Sequence, residues 1–211
     1  GDVYLREGYS MSDVFTTGIL QRGRDGKLVE EGNGYQVDRS QRIRLGSADP
    51  DFTMGWRHDI NYKNISLGLM ITGRFGGIVT SQTQAFMDAF GVSKVSAEAR
   101  DNGGVMLDGH RYDAERYYNT VGGQGLMSYY TYDATNVRLQ ELSLTYSLPK
   151  KWLGDVFNNA TISFVGRNLF MFYRKAPFDP DMNGSTGTYN RSDFFMAPSL
   201  RNLGFSIKFS L

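Results

Sequence analysis

The chain has 211 residues, with 23 Lys+Arg against 22 Asp+Glu and a formal net charge of +1 at pH 7. It contains no Cys, which excludes disulfides, thiol nucleophiles and thiolate metal sites, and the charge balance gives no sign of nucleic-acid binding. No apolar run approaches the roughly 18 residues of a transmembrane helix. The 25 Gly, 14 Phe and 13 Tyr, with only 5 Pro, favour a large antiparallel sheet instead.

The first predicted elements are strands with a period of two. A candidate from Val14 to Gln21 precedes a clearer one from Phe52 to Tyr62, in which the even positions are apolar or aromatic apart from His58. The pair Lys63-Asn64 then makes a turn into Ile65 to Phe75, which also alternates. These long strands match the roughly 9–11 residues of a tilted membrane-spanning strand better than the roughly 5–6 residues of a soluble one.

Three later strands extend the predicted sheet. Val137 to Ser147 alternates but changes phase, and one extra residue near Gln140-Glu141, a β-bulge, would restore the phase. Ala160 to Tyr173 alternates less regularly, whereas Leu203 to Leu211 is apolar at every second position. We therefore predict an all-β fold, namely the last five or six antiparallel strands of a larger transmembrane β-barrel.

The connections between these strands are unequal in length. Lys63-Asn64 and Leu148 to Asn159 are short, whereas residues 76–136 and 174–196 form much longer segments. Outer-membrane barrels combine short periplasmic turns with long extracellular loops. We therefore predict that residues 76–136 and 174–196 are extracellular loops, and that the terminal strand within residues 200–211 ends in the periplasm.

Three segments resemble one known family. They are Gly46–Gly55 (GSADPDFTMG), Val137–Pro149 (VRLQELSLTYSLP), and Val165–Phe170 (VGRNLF) followed by Phe178-Asp179-Pro180. In content, order and spacing they resemble the C-terminal barrel region of the SusC/RagA family of TonB-linked outer-membrane transporters. The end of the chain also resembles a barrel-assembly signal, carried by Gly204, Ile207, Phe209 and Leu211.

The resemblance implies a larger protein in the bacterial outer membrane. Family members have a plugged barrel of about 22 strands, and they use TonB to import large nutrients such as oligosaccharides or peptides. We expect residues 1–211 to be the C-terminal part of such a barrel, with the plug outside this sequence. The partners that the resemblance implies are the rest of the barrel and its plug, a SusD-like lipoprotein, TonB through the plug, and outer-membrane lipid.

Ligand or partner contacts are predicted in two places. Six tyrosines fall within residues 76–136, and a Tyr ring with its hydroxyl suits stacking on a sugar or packing against a partner. An aromatic girdle with packing inside the loop is the alternative. Arg57 and Arg74 fall on the polar face, where they could contact plug or substrate. The tyrosines are Tyr112, Tyr117, Tyr118, Tyr129, Tyr130 and Tyr132.

The sequence predicts no enzyme and no cofactor. His58 lies on an apolar face, and His110 has no positioned nucleophile beside it. Three residues, Asp179, Asp181 and Asn183, match the first half of a calcium loop, although the position of its final Glu ligand is Asn. An acidic surface turn is the alternative for this calcium candidate.

Two other classes remain open at this point. A secreted carbohydrate-binding β-sandwich module would need two sheets with inward apolar faces and shorter strands. A small outer-membrane barrel acting as an adhesin would need at least about eight strands, and the sequence offers five or six.

Overall fold

A computed structural model of the chain describes residues 2–3, 7–154, 157–181 and 192–210. The chain divides into two compact units, which are described separately. Unit 1 comprises Gly1–Asp49, Gly77–Asp133 and Met182–Ala197, and unit 2 comprises Pro50–Gly76, Ala134–Asp181 and Pro198–Leu211. Among the described residues, no helix is both long enough and apolar enough to cross a membrane.

Strands dominate both units, and three short α-helices lie in unit 1. The strands are β1 (Asp2–Val3), β2 (Asp13–Leu20), β3 (Glu30–Glu31), β4 (Gly34–Tyr35), β5 (Val37–Ser47), β6 (Phe52–Tyr62), β7 (Ile65–Phe75), β8 (Ile78–Ser81), β9 (Val105–Leu107), β10 (His110–Tyr112), β11 (Thr131–Asp133), β12 (Asn136–Ser147), β13 (Asn159–Arg174), β14 (Ser192–Asp193) and β15 (Asn202–Ser210). The helices are α1 (Gln82–Ala89), α2 (Lys94–Asp101) and α3 (Ala114–Val121), with 3₁₀ turns at Met127–Tyr129 and Lys150–Trp152.

Unit 2 is built on one five-stranded antiparallel sheet in the order β15-β13-β12-β7-β6. The predicted hairpin is confirmed residue for residue, and Lys63 at its turn has a φ of 51°. Positive φ at the turn matches the right-handed twist of the paired strands. The three later strands are also confirmed, each within one or two residues of its predicted bounds.

The predicted β-bulge lies in β12. On the β7 side, Leu139 pairs with Ile71 and Glu141 pairs with Met70, so Gln140 is the extra residue. The pairing with β13 shifts at the same place. An extra residue reverses which face the following side chains occupy, which explains why the sequence changes phase there.

One face of this sheet is apolar and the other is largely polar, and the difference extends across all five strands. Directly paired residues share a face. One row across all five strands is apolar, and another on the opposite face is largely polar. The apolar row is Ile60, Leu67, Leu144, Phe164 and Phe205, and the polar row is Arg57, Met70, Glu141, Arg167 and Asn202.

The apolar face is also exposed. Ile60, Leu144, Phe164 and Phe205 have exposed fractions of 48%, 48%, 44% and 67%. Contiguous exposed apolar surface of this kind marks a contact with a membrane or a partner. A β-sandwich would have buried this face against a second sheet.

Unit 1 contains the candidate strand Val14 to Gln21, which is present as β2. Its place differs from the prediction, because β2 pairs with β1 and β5 in a separate three-stranded sheet. The sequence analysis missed β5. Its apolar residues Val37, Ile43 and Leu45 occupy odd positions, but the polar Arg39 and Gln41 occupy odd positions too and interrupt the alternation.

The segment 76–136, predicted as a long loop, is folded over most of its length. Its three helices begin at N-cap residues whose side chains accept a backbone hydrogen bond from the first turn: Ser81, Ser93 and Asp113. Such caps satisfy N–H groups that have no partner within the helix. The helices pack with neighbouring strands around a core that includes Leu20, Tyr35, Val121 and Leu126.

A substitution of Leu126 tests this core, because its side chain is 0% exposed. We expect Leu126→Ala to lower the free energy of unfolding of unit 1 by about 2–5 kcal/mol, because it removes buried methyl groups and leaves a cavity. Pulse proteolysis in urea would measure the shift. Val95→Ala, at a side chain with 54% exposure, is the control and should shift the midpoint little; equal shifts would contradict the assigned core.

Candidate functional site

The polar face of the five-stranded sheet carries two exposed ion pairs. Arg57 Nε lies 2.9 Å from Asp59 Oδ2, and Arg167 Nε lies 2.9 Å from Glu141 Oε2. Exposed pairs of this type contribute about 0–1 kcal/mol each to stability. Their charged groups therefore stay available to other ligands, and the contact role of Arg57 stays a prediction.

A buried charge cluster lies at the end of the same face. Arg138 of β12, whose side chain is 7% exposed, reaches Asp179 Oδ1 at 2.7 Å and Asp181 Oδ2 at 2.6 Å. The second predicted contact residue, Arg74, places Nη1 3.8 Å from Asp181 Oδ1. Asn136 Nδ2 donates to Asp181 Oδ1 at 3.4 Å. Two guanidinium groups thus face two carboxylates.

The two carboxylates of this cluster titrate differently. Burial alone would raise the pKa of Asp179, but hydrogen bonds from Ser199 and Arg138 outweigh it and hold that pKa below its usual value. Burial raises the pKa of Asp181 and outweighs the opposing charge of Arg138, and the negative charge of Asp179 raises it further. Asp179 is therefore the firmer ionic partner of Arg138.

The calcium candidate falls on these same carboxylates. Arg138 already supplies a positive charge to Asp179 and Asp181, so both act as ion-pair partners in the structure. The third residue of the candidate, Asn183, lies outside the described residues. Within the described part of the chain, no three His, Asp or Glu residues are grouped closely enough to hold a metal ion.

Most of the six candidate tyrosines lie inside unit 1. Tyr112, Tyr117, Tyr118 and Tyr130 are between 3% and 8% exposed. They belong to its hydrophobic core, and the hydroxyl of Tyr112 accepts a hydrogen bond from the Leu28 amide at 3.1 Å. The sequence analysis predicted ligand or partner contact for these tyrosines, with packing inside the loop as an alternative, and their burial in the core favours the packing alternative for these four.

Two tyrosines remain accessible. Tyr129 is 39% exposed, and its hydroxyl accepts a hydrogen bond from the Leu20 amide at 3.2 Å. Tyr132 lies in β11 and is partly buried. A cluster of tyrosines in the sequence does not distinguish buried from exposed positions. In both environments the ring makes apolar contacts and the hydroxyl forms a hydrogen bond.

The proposed assembly residues lie on the terminal strand β15. Ile207 pairs with Ile162, and Phe209 pairs with Ala160 and lies against the ring of Phe157 at 5.2 Å. Gly204 pairs with Val165 on the opposite face. Leu211 lies outside the described residues. The assembly role of this strand stays a prediction.

The sequence analysis did not single out Arg138. The sequence does indicate that Arg138 lies on the polar face, because it is next to the apolar Leu139 at the start of a strand. The strand register agrees with this placement. What the sequence could not show is that residues 175–181 return to it, since that contact joins positions 41 residues apart.

Arg138→Met tests this cluster. The change leaves Asp179 and Asp181 without their main counter-charge, so we expect a loss of about 3–5 kcal/mol and faster hydrogen exchange in residues 175–181. Arg167→Met breaks an exposed pair in the adjacent strand and should cost about 0–1 kcal/mol. Similar effects of the two variants on exchange would contradict a buried, structural role for Arg138.

Curated relatives of the chain are TonB-dependent receptors. The chain is 29% identical to TonB-dependent receptor P3 of Formosa agariphila over 222 residues, which cover 96% of the chain and 22% of that protein. It is 26% identical to TonB-dependent receptor P26 of the same organism, over 86% of the chain and 19% of that protein. The chain therefore spans about a fifth of the length of these relatives. No protein-family model matches it.

Solved structures agree in fold. The RagAB peptide importer in the open-open state superimposes with a TM-score of 0.62 at 18% identity, covering 95% of this chain and 22% of that chain. The closed-closed state gives a TM-score of 0.57 at 16% identity, over 92% and 21%. The chain is thus similar in sequence to TonB-dependent receptors, and its fold is similar to that of about a fifth of a chain in the RagAB structures.

Proposed function

We propose that this chain forms part of the wall of an outer-membrane transporter that imports large nutrients, either oligosaccharides or peptides, with energy supplied through TonB. The observation that carries this proposal is the exposed apolar face of the five-stranded sheet. Its strands are 9 to 16 residues long, which suits tilted strands crossing a hydrocarbon layer.

The proposal gives the two faces of the sheet different surroundings. The apolar face contacts lipid, and the polar face lines the lumen, where the exposed Arg57 contacts plug or substrate. Arg74 is largely buried beside Asp181, so any contact it makes with plug or substrate is limited to the exposed part of its side chain. The hairpin turn and the Leu148–Asn159 connection then lie in the periplasm, together with the C-terminus. The segments 76–136 and 174–196 lie outside the cell.

A surface lipoprotein of the SusD type is the proposed partner on the extracellular side. Support comes from the similarity in fold to RagAB, which is a two-component peptide importer. Tyr129 is the exposed member of the tyrosine set and is the residue through which we propose a ligand or partner contact. Neither proposed contact requires a catalytic step, and the transport proposed here makes and breaks no covalent bond.

Neighbouring residues on opposite faces of the sheet test whether its apolar face contacts lipid or water. Leu144 lies on the apolar face and Ser143 on the polar one. We expect Leu144→Lys in the full-length receptor to cost about 2–4 kcal/mol in a bilayer and to reduce the amount of folded receptor, whereas Ser143→Lys is tolerated. Heat-modifiable mobility of the receptor in membranes measures the folded fraction.

The opposite result has a clear meaning. In a water-soluble protein, Leu144→Lys at a half-exposed position would be nearly neutral. Equal folding of both variants, together with recovery of the chain in a detergent-free soluble fraction, would contradict the membrane-wall proposal.

Uptake in whole cells tests the transport proposal. A strain that lacks the receptor should take up fewer labelled oligosaccharides or fewer labelled peptides, and re-expression of the full-length receptor should restore uptake only when TonB is present. Comparison of the two substrate panels identifies the imported class. Unchanged uptake of both panels in the deletion strain would contradict the proposal.

A further inference from the structure

Unit 1 contains a cavity of ≈ 290 Å³ bounded by residues of its three helices. Asp88 of α1, Tyr118 and Glu115 of α3, and Arg100 of α2 all line it. The cavity size is close to the lower limit of small-molecule sites, which begin at about 300 Å³. The transport function proposed above assigns no role to this cavity.

Asp88 is the unusual residue of this cavity, since it is only 5% exposed. Its Oδ1 accepts a hydrogen bond from Gln84 Nε2 at 2.7 Å. An ionised carboxylate can accept about four hydrogen bonds, so acceptor positions remain. Within the described part of the chain, no Lys, Arg or His lies within ion-pair distance of it.

A buried carboxylate without a cation is costly. Buried charges are normally paired or bound to a metal, because removal from water costs several kcal/mol per ion. The contrast inside this chain is direct. Asp179 and Asp181 have Arg138 as a counter-charge, whereas the hydrogen bond to Asp88 comes from the neutral side-chain amide of Gln84. A cationic ligand from outside the chain would supply the counter-charge for the Asp88 carboxylate.

Aromatic rings surround this carboxylate. Tyr118 lines the cavity, and the rings of Tyr117 and Tyr118 meet edge to face with centroids 5.2 Å apart. Burial raises the pKa of Tyr130, and the negative charge of Asp88 raises it further, so this hydroxyl stays protonated beside the carboxylate. A carboxylate with aromatic walls is the arrangement that attracts ammonium groups.

The remaining charged groups favour an organic cation over a metal ion or an anion. Arg100 keeps its positive charge and donates from Nη1 to the Gly91 carbonyl at 2.8 Å, but the two carboxylates of the lining, Asp88 and Glu115, outnumber this single guanidinium. A calcium ion takes 6–8 oxygen ligands. Among the residues that the structure describes, no group of three His, Asp or Glu could provide the protein share of such a set.

We propose that this cavity binds a primary ammonium group, with the Asp88 carboxylate as counter-ion and the Tyr118 ring as one wall. The ammonium belongs to a small organic ligand, either the N-terminus of a short peptide or an amino sugar. The site lies within unit 1, and ammonium binding is read out by binding rather than by uptake, so this proposal and the transport proposal can fail separately.

The test uses matched pairs of ligands in which acetylation removes the positive charge of one nitrogen, and the Asp88 variants below separate the loss of charge from the added bulk of the acetyl group. Calorimetry on the purified full-length receptor would compare triglycine amide with N-acetyl-triglycine amide, and glucosamine with N-acetylglucosamine. At about pH 6.5 an α-amino group is largely protonated. At least one free amine should bind, and its acetylated partner should bind at least about tenfold more weakly, as expected for a lost charge-assisted contact.

The result also identifies the source of the ammonium group. Binding of the tripeptide alone assigns a peptide N-terminus, and binding of glucosamine alone assigns an amino sugar; both outcomes support the proposal. Equal binding of free and acetylated ligands, or binding of neither free amine, overturns it. These outcomes need no variant and therefore do not depend on whether a substitution folds.

Variants then assign the site to Asp88. Asp88→Asn keeps the oxygen that accepts from Gln84 but removes the charge, so amine binding should fall at least about tenfold. Asp101→Asn is the matched control on the exposed end of α2 and should leave binding unchanged. Asp88→Glu restores the charge and should keep the preference for the free amine. Amine binding that is unchanged in Asp88→Asn overturns the assignment.

Discussion

The continuous antiparallel ladder of unit 2 is the constraint on which the rest of that unit depends. In an apolar medium every backbone N–H and C=O must find an internal partner, and a sheet can do so only along paired edges. Within the described residues, β6 pairs only with β7 and β15 pairs only with β13, so each of these strands has an edge without a partner. Such edges need further strands in lipid, consistent with a chain that spans about a fifth of its relatives.

Side-chain chemistry follows from the same ladder. Because paired residues share a face, one apolar residue per strand becomes an apolar row across the sheet, and the bulge at Gln140 keeps β12 on the correct side after its phase change. The bulge therefore preserves both faces at once. Without it, the residues of β12 beyond Leu139 would present their polar side chains to the apolar face.

Buried charge is treated differently in the two units. In unit 2, Arg138 compensates Asp179 and Asp181 and fixes residues 175–181 to the sheet. In unit 1, Asp88 is buried near tyrosines, and within the described part of the chain no Lys, Arg or His lies at ion-pair distance from it. The first arrangement is complete in itself and explains a structural role. In the second arrangement the buried carboxylate has no described counter-charge, and this is the physical reason for proposing a cationic ligand.

The sequence by itself determined the strands of unit 2, their faces, the hairpin turn and the bulge, because a period of two is a local property that each strand carries in its own residues. Only the tertiary structure decided that β2 joins a separate sheet, that residues 76–136 fold into helices, and that four tyrosines lie inside. It also brought Arg138 to Asp179 and, among the residues that the structure describes, left Asp88 with no Lys, Arg or His at ion-pair distance. These outcomes depend on contacts between residues far apart in the chain, which no local pattern encodes.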